Sequence, residues 1–170
     1  MSPFRRTALI ALAVLSVLAL AQNAWYWSQL PDRVAIHFGV GGKPDSWMKK
    51  SDATLLMCAI QIGIPLFLVG ITWTTKFLPS SLINIPNRTY WLHPDRRANS
   101  LAYVNGLVAW IAVLAALFMM AVGHLTFVAN QNGDSLRMDW FGCALVLYLA
   151  LMFGLVGRLY WQFRMPKEAL

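Results

Sequence analysis

Four long apolar runs decide what this chain can fold into. They cover about residues 7–27, 53–75, 101–128 and 140–163. Each clears the ~20 residues that an α-helix needs to cross a hydrocarbon core of about 30 Å. A backbone that faces lipid has to satisfy its amides within its own segment, so the runs predict helices. None alternates apolar with polar residues, as strands of a membrane barrel would. Composition agrees: 58% of the 170 residues are hydrophobic and 12% are charged, whereas about a quarter of a soluble domain is charged. The expected fold class is all-α, a four-helix transmembrane bundle with a short ordered extracytoplasmic loop between helices 1 and 2. Length predicts one integral membrane domain over 1–170, with a cytoplasmic loop at 76–100 and the last two helices within 101–163.

Lys and Arg mark the cytoplasmic side of a membrane protein. With the N-terminus inside, that side receives nine of the 14 basic residues: Arg5, Arg6, Lys76, Arg88, Arg96, Arg97, Arg158, Arg164 and Lys167. The outer side receives five, Arg33, Lys43, Lys49, Lys50 and Arg137, offset by Asp32, Asp45 and Asp52. Both termini are therefore expected in the cytoplasm. Trp25, Tyr26 and Trp27, then Trp140 and Phe141, read as the outer aromatic belt. Tyr160 and Trp161 read as the inner one, beside Arg158 and Arg164, whose stems can snorkel to the headgroups. Arg5, Arg6 and the Ala19-Leu20-Ala21 stretch also fit a signal peptide. The long apolar run and its aromatic end favour a retained helix instead.

The net charge of +7 does not point to nucleic acid, because the basic residues are scattered between apolar runs rather than gathered in a stripe. The bilayer is the expected partner. Cys58 and Cys143 lie inside apolar runs near the outer ends of their helices. They read as free thiols that behave as small hydrophobes, with a disulfide as the alternative.

The loop after the first span holds the most patterned stretch, Leu30-Pro31-Asp32-Arg33-Val34-Ala35-Ile36-His37-Phe38 followed by Gly39 to Trp47. Pro31 stops the helix, Val34 to Phe38 form a short extended stretch, and the glycines with Pro44-Asp45 make tight turns. Ser51 and Asp52 are N-cap candidates for the second span. The segment resembles the bacterial domain of unknown function 1648, found at the N-terminal end of Sdp-type immunity proteins. Leu30, Pro31, Asp32, Val34, His37, Phe38, Gly42, Pro44, Asp45 and Trp47 carry the resemblance, which covers about the first 60 residues. Two positions depart from the pattern: Ala35, where proline is usual, and Gly39, where a polar residue is common. The resemblance implies a bacterial inner-membrane protein with an immunity-like role. His37 and Asp45 are expected to hydrogen-bond the turns and hold the loop; a metal or proton site is the sharper alternative, since imidazole pairs readily with carboxylate.

Within the spans, Gln61, Asn105 and His124 are the polar residues that a functional reading selects, because intramembrane polar groups are costly. Pro65 should kink the second span, and Gly154 with Gly157 permits close approach in the fourth. His93-Pro94-Asp95 reads as a proline turn with Asp95 as an N-cap. Arg88, Arg96 and Arg97, with Tyr90 and Trp91, suit anionic headgroups or an acidic cytosolic protein.

No HExxH motif, phosphate-binding glycine loop or nucleophile elbow is present. Ser16, deep in the first span, has no base at its depth. No catalysis, cofactor or bound metal is expected. The leading expectation is a binding or signalling module whose outer loop recognises a peptide or envelope ligand. A small transporter using Gln61, Asn105 and His124 is one alternative, and a metal-dependent enzyme at His37 and Asp45 is another. A homodimer is compatible with all three.

Overall fold

The computed structural model describes residues 2–133 and 135–166; Lys167, counted above among the inner cations, lies outside them. The order is α1 (Pro3–Trp27), β1 (Arg33–Phe38), β2 (Pro44–Lys49), α2 (Lys50–Cys58), α3 (Ile64–Ile71), α4 (Arg88–Trp91), α5 (Pro94–Asn132) and α6 (Met138–Gln162). A π-helical segment, Ala59–Gly63, joins α2 to α3. Lys50–Lys76 thereby forms one continuous candidate span of 27 residues. With α1, α5 and α6 it makes four helices, among the described residues, long and apolar enough to cross a bilayer.

The all-α expectation needs one addition. The loop after α1 is an antiparallel hairpin of β1 and β2, with Arg33 opposite Lys49 and Phe38 opposite Pro44. The strand β2 runs directly into α2, so Lys49 is the N-cap, not Ser51 or Asp52. The Ser51 hydroxyl donates instead to the Asp52 carboxylate at 3.1 Å. The loop expected at 76–100 is also shorter, because α5 begins at Pro94. Proline suits the first helical position, where no N–H is required. His93 is the N-cap there, and Asp95 sits in the first turn, where a carboxylate favours the helix dipole.

The longest helix, α5, has 39 residues, about 58 Å at 1.5 Å per residue. It outruns any hydrocarbon core and is the spine against which α1, α3 and α6 pack. The α1–α5 contact is built from small side chains: Ala8 and Leu12 meet Ala109, Ala112, Val113 and Ala116. Close approach of this kind is how helices associate in lipid, where burial of apolar groups gives no advantage. A Cβ at Gly106 would press on the Phe4 ring.

Gly154 and Gly157 do not play this role. Open space surrounds both, and α6 has no buried residue. That helix turns its apolar surface outward and leans on α5. Cys58 is half-buried, Cys143 is exposed, and both are free.

Pro65 shapes the second span in a way its sequence position announced. It has no N–H, so the regular ladder is interrupted, and Ile64 N–H reaches back five residues to the Ala59 carbonyl. The resulting π segment re-aims Gln61 into the bundle, where it is 1% exposed.

Candidate functional site

The hairpin is tied to the helices by backbone-directed bonds. Its turn uses Gly41 and Gly42, both at positive φ, 76° and 77°. Gly42 has a second reason to be glycine: its carbonyl accepts from Leu136 N–H at 2.8 Å, and a Cβ would collide with the Leu136 carbonyl. The link between α5 and α6 is thus stitched to the hairpin tip.

The other attachment is Asn130, which the sequence reading missed. Its amide acts as an extra rung of the sheet, accepting from Ala35 N–H at 2.6 Å and donating to the Ala35 carbonyl at 2.9 Å. A proline at position 35 would have no N–H for that bond.

His37 and Asp45 meet across the hairpin, Nδ1 to Oδ1 at 2.6 Å, with both side chains more than half exposed. Phe38 and Pro44 close the ladder above them. Asp32 contributes its carbonyl, which accepts from Lys50 N–H at 2.9 Å. Pro31 follows the turn in which Leu30 N–H returns to the Tyr26 carbonyl. Among the described residues, no three His, Cys, Asp or Glu side chains converge.

Beside β2 lies an open recess of about 600 Å³ lined by Trp27, Asp32, Arg33, Trp47, Lys49 and Lys50. The Lys50 ammonium stands 5.3 Å from the Trp27 ring centre and donates to the Leu30 carbonyl at 3.1 Å. The recess therefore offers aromatic faces, a fixed Lys50 ammonium beside two further cations, and one carboxylate. Trp47 joins it from an exposed strand: β2 is exposed from Asp45 to Lys49.

Below the hairpin, polar side chains form two levels inside the bundle. Tyr26 leaves the expected aromatic belt and turns inward, its hydroxyl 2.8 Å from His124 Nδ1. One turn deeper, Asn23 Nδ2 donates to Gln61 Oε1 at 2.6 Å, and Gln61 Nε2 donates to Gln22 Oε1 at 2.9 Å. Gln22 in turn donates to the Met120 carbonyl at 3.2 Å. The cluster packs tightly on α5, because a Cβ at Gly123 would overlap the Gln61 amide. Gln22 and Asn23 are neighbours near the end of the first apolar run, a polar pair where lipid-facing residues were expected; that pair was the available signal.

Asn105 is separate. Its amide lies 3.2 Å from the Thr75 hydroxyl, 19 residues before His124 on α5 and so about 28 Å away along its axis. The interval is filled by the dry α1–α5 packing of Ala8, Leu12, Ala112 and Val113.

Residues 14–62 match the model of a family described as Domain of unknown function (DUF1648). The DUF1648 match takes in the second half of α1, the whole hairpin, α2 and the π segment as far as Ile62. Its partners on α5, among them Asn130 and His124, lie beyond it. An uncharacterized protein from Archaeoglobus fulgidus is 25% identical over 169 residues, spanning 91% of this chain and 81% of its own. No solved structure matches the chain.

Proposed function

We propose that this is a non-catalytic recognition module of a cytoplasmic membrane, with both termini inside and the hairpin outside, and that it binds an extracytoplasmic peptide in an immunity-like role. The observation that carries the reading is the recess of Trp27, Trp47, Arg33, Lys49 and Lys50 beside an exposed strand. An exposed strand pairs with an extended peptide backbone, and neighbouring pockets select its side chains. The hairpin is held in place by Asn130 and Leu136, so little ordering is needed when a ligand arrives. The excess of basic residues at the opposite end favours this orientation. A transporter is less well supported, because a dry layer separates Asn105 from Gln61 and His124.

Two measurements test the reading together. Lys43→Cys, in a chain lacking Cys58 and Cys143, should react with a membrane-impermeant maleimide on intact cells. Deleting the gene should raise sensitivity to a secreted peptide of the same community, with wild type but not Trp47→Ala restoring resistance. Unchanged sensitivity to every peptide tried would remove the immunity role, and an unreactive Lys43→Cys would reverse the orientation.

A further inference from the structure

The opposite end of the bundle holds a second recess, of about 220 Å³, lined by Arg5, Thr72, Trp73, Thr75, Lys76 and Asn105. Three separate segments build it. The first turns of α1 bring Arg5, the end of the second span brings Thr72 to Lys76, and α5 brings Asn105.

The donors in this recess are oriented but not saturated. Arg5 Nη2 donates to the Thr72 hydroxyl at 3.1 Å, and that hydroxyl donates onward to the Val69 carbonyl at 2.7 Å. The guanidinium is thereby fixed, yet its Nε is buried with no acceptor. The Thr75 hydroxyl donates to the Thr72 carbonyl at 2.7 Å and lies 3.2 Å from the Asn105 amide. Lys76 lies over the rings of Phe77 and Trp73 at 4.7 and 5.3 Å. Neither Arg5 nor Lys76 has a carboxylate partner among the described residues, and no acid lines the recess.

A guanidinium and an ammonium that line one recess without a carboxylate are complementary to a tetrahedral oxyanion. We propose that this recess binds the phosphate of one anionic phospholipid in the leaflet at this end of the bundle. The walls favour a lipid over free phosphate. Trp73 is 69% exposed beside the recess, as interfacial tryptophans are. The helix α3, which leads into it, exposes Phe67 and Ile71 to the hydrocarbon, where acyl chains lie.

The test counts retained lipid by native mass spectrometry on the full chain in mild detergent, supplied with phosphatidylglycerol or, separately, phosphatidylcholine. Wild type should retain one phosphatidylglycerol under conditions that strip phosphatidylcholine. Arg5→Gln and Lys76→Gln should each weaken retention about tenfold, equivalent to ~1.4 kcal/mol. Arg164→Gln removes the same charge outside the recess and should retain the lipid as wild type does. Lys76 is exposed, so its variant folds and decides the matter even where Arg5→Gln disturbs α1. Three results overturn the proposal: equal retention of phosphatidylcholine, equal loss in Arg164→Gln, or displacement of the lipid by excess inorganic phosphate.

Discussion

The hairpin end of the molecule adds a backbone ladder to its buried side-chain cluster, whereas the opposite end rests on side chains. At the hairpin, a sheet ladder, a glycine turn bonded to Leu136 and the Asn130 clamp on Ala35 stand over the packing of Val34 against Tyr26, Met57 and Phe127. At the other end no described residue forms a ladder. Ile83, Ile85, Leu92 and Leu101 pack around Phe163, which is 1% exposed. Asn87, at a positive φ of 51°, donates to the Phe163 carbonyl at 2.8 Å, and Trp91 Nε1 donates to the same oxygen at 3.0 Å.

Charge divides the same way. Hairpin-end cations stand among acids: Arg137 is paired with Asp139, and Asp32, Asp45 and Asp52 lie close in sequence to Arg33, Lys49 and Lys50. At the other end the arginines find carbonyls and rings instead. Arg97 donates to the Leu78 carbonyl, Arg88 to that of Ser81, and Arg96 lies 4.0 Å from the Tyr90 ring centre. Carbonyls and rings orient a guanidinium without neutralising it. The difference teaches that one end is built as a shaped, nearly neutral platform and the other as a positively charged surface, which suits anionic lipid.

The sharpest way to break this comparison is Phe163→Ala. Removing a fully buried ring should destabilise the fold by about 3–4 kcal/mol, read by thermal unfolding in detergent. Hydrogen exchange should quicken around Trp91 and leave the hairpin ladder protected; equal loss at both ends would mean that they are one cooperative unit. Gly42→Ala comes next. Its left-handed backbone and the clash with Leu136 should together cost about 2–3 kcal/mol, with protection lost at Leu136 and the hairpin rather than at Trp91. The smallest effect is expected from Asp45→Ala, which removes an exposed partner of His37. A change within about 0.5 kcal/mol fits a surface pair. A larger loss of stability would make that pair a principal support of the hairpin, and the backbone account of that end would fail.

The four spans and the extended stretch before His37 were legible because each depends on local chemistry. Long apolar runs have no stable alternative in lipid, and valine and isoleucine beside turn residues favour strand. Pro65 announced a break in the second span because a missing N–H is a covalent fact. The loop motif was legible for its pattern, and the glycine at 42 for its turn, but not for the contact with Leu136, 94 positions later in the chain.

What only the tertiary structure decided was direction and company. Sequence could not choose between Gly154 with Gly157 and the stripe Gly106, Ala109, Val113, Ala116 as the packing face, since both offer small residues at helical spacing. Tyr26 reads as a belt residue until His124 is beside it. Asn130 and Ala35 are 95 residues apart, the parts of the Arg5 recess come from three separate segments, and no local signal joins either set. Periodicity and hydropathy are properties of a segment, and they determine that four helices cross a bilayer. Which polar groups find each other is a property of the packed bundle, because in a medium without water each must bond to whatever neighbour the fold supplies.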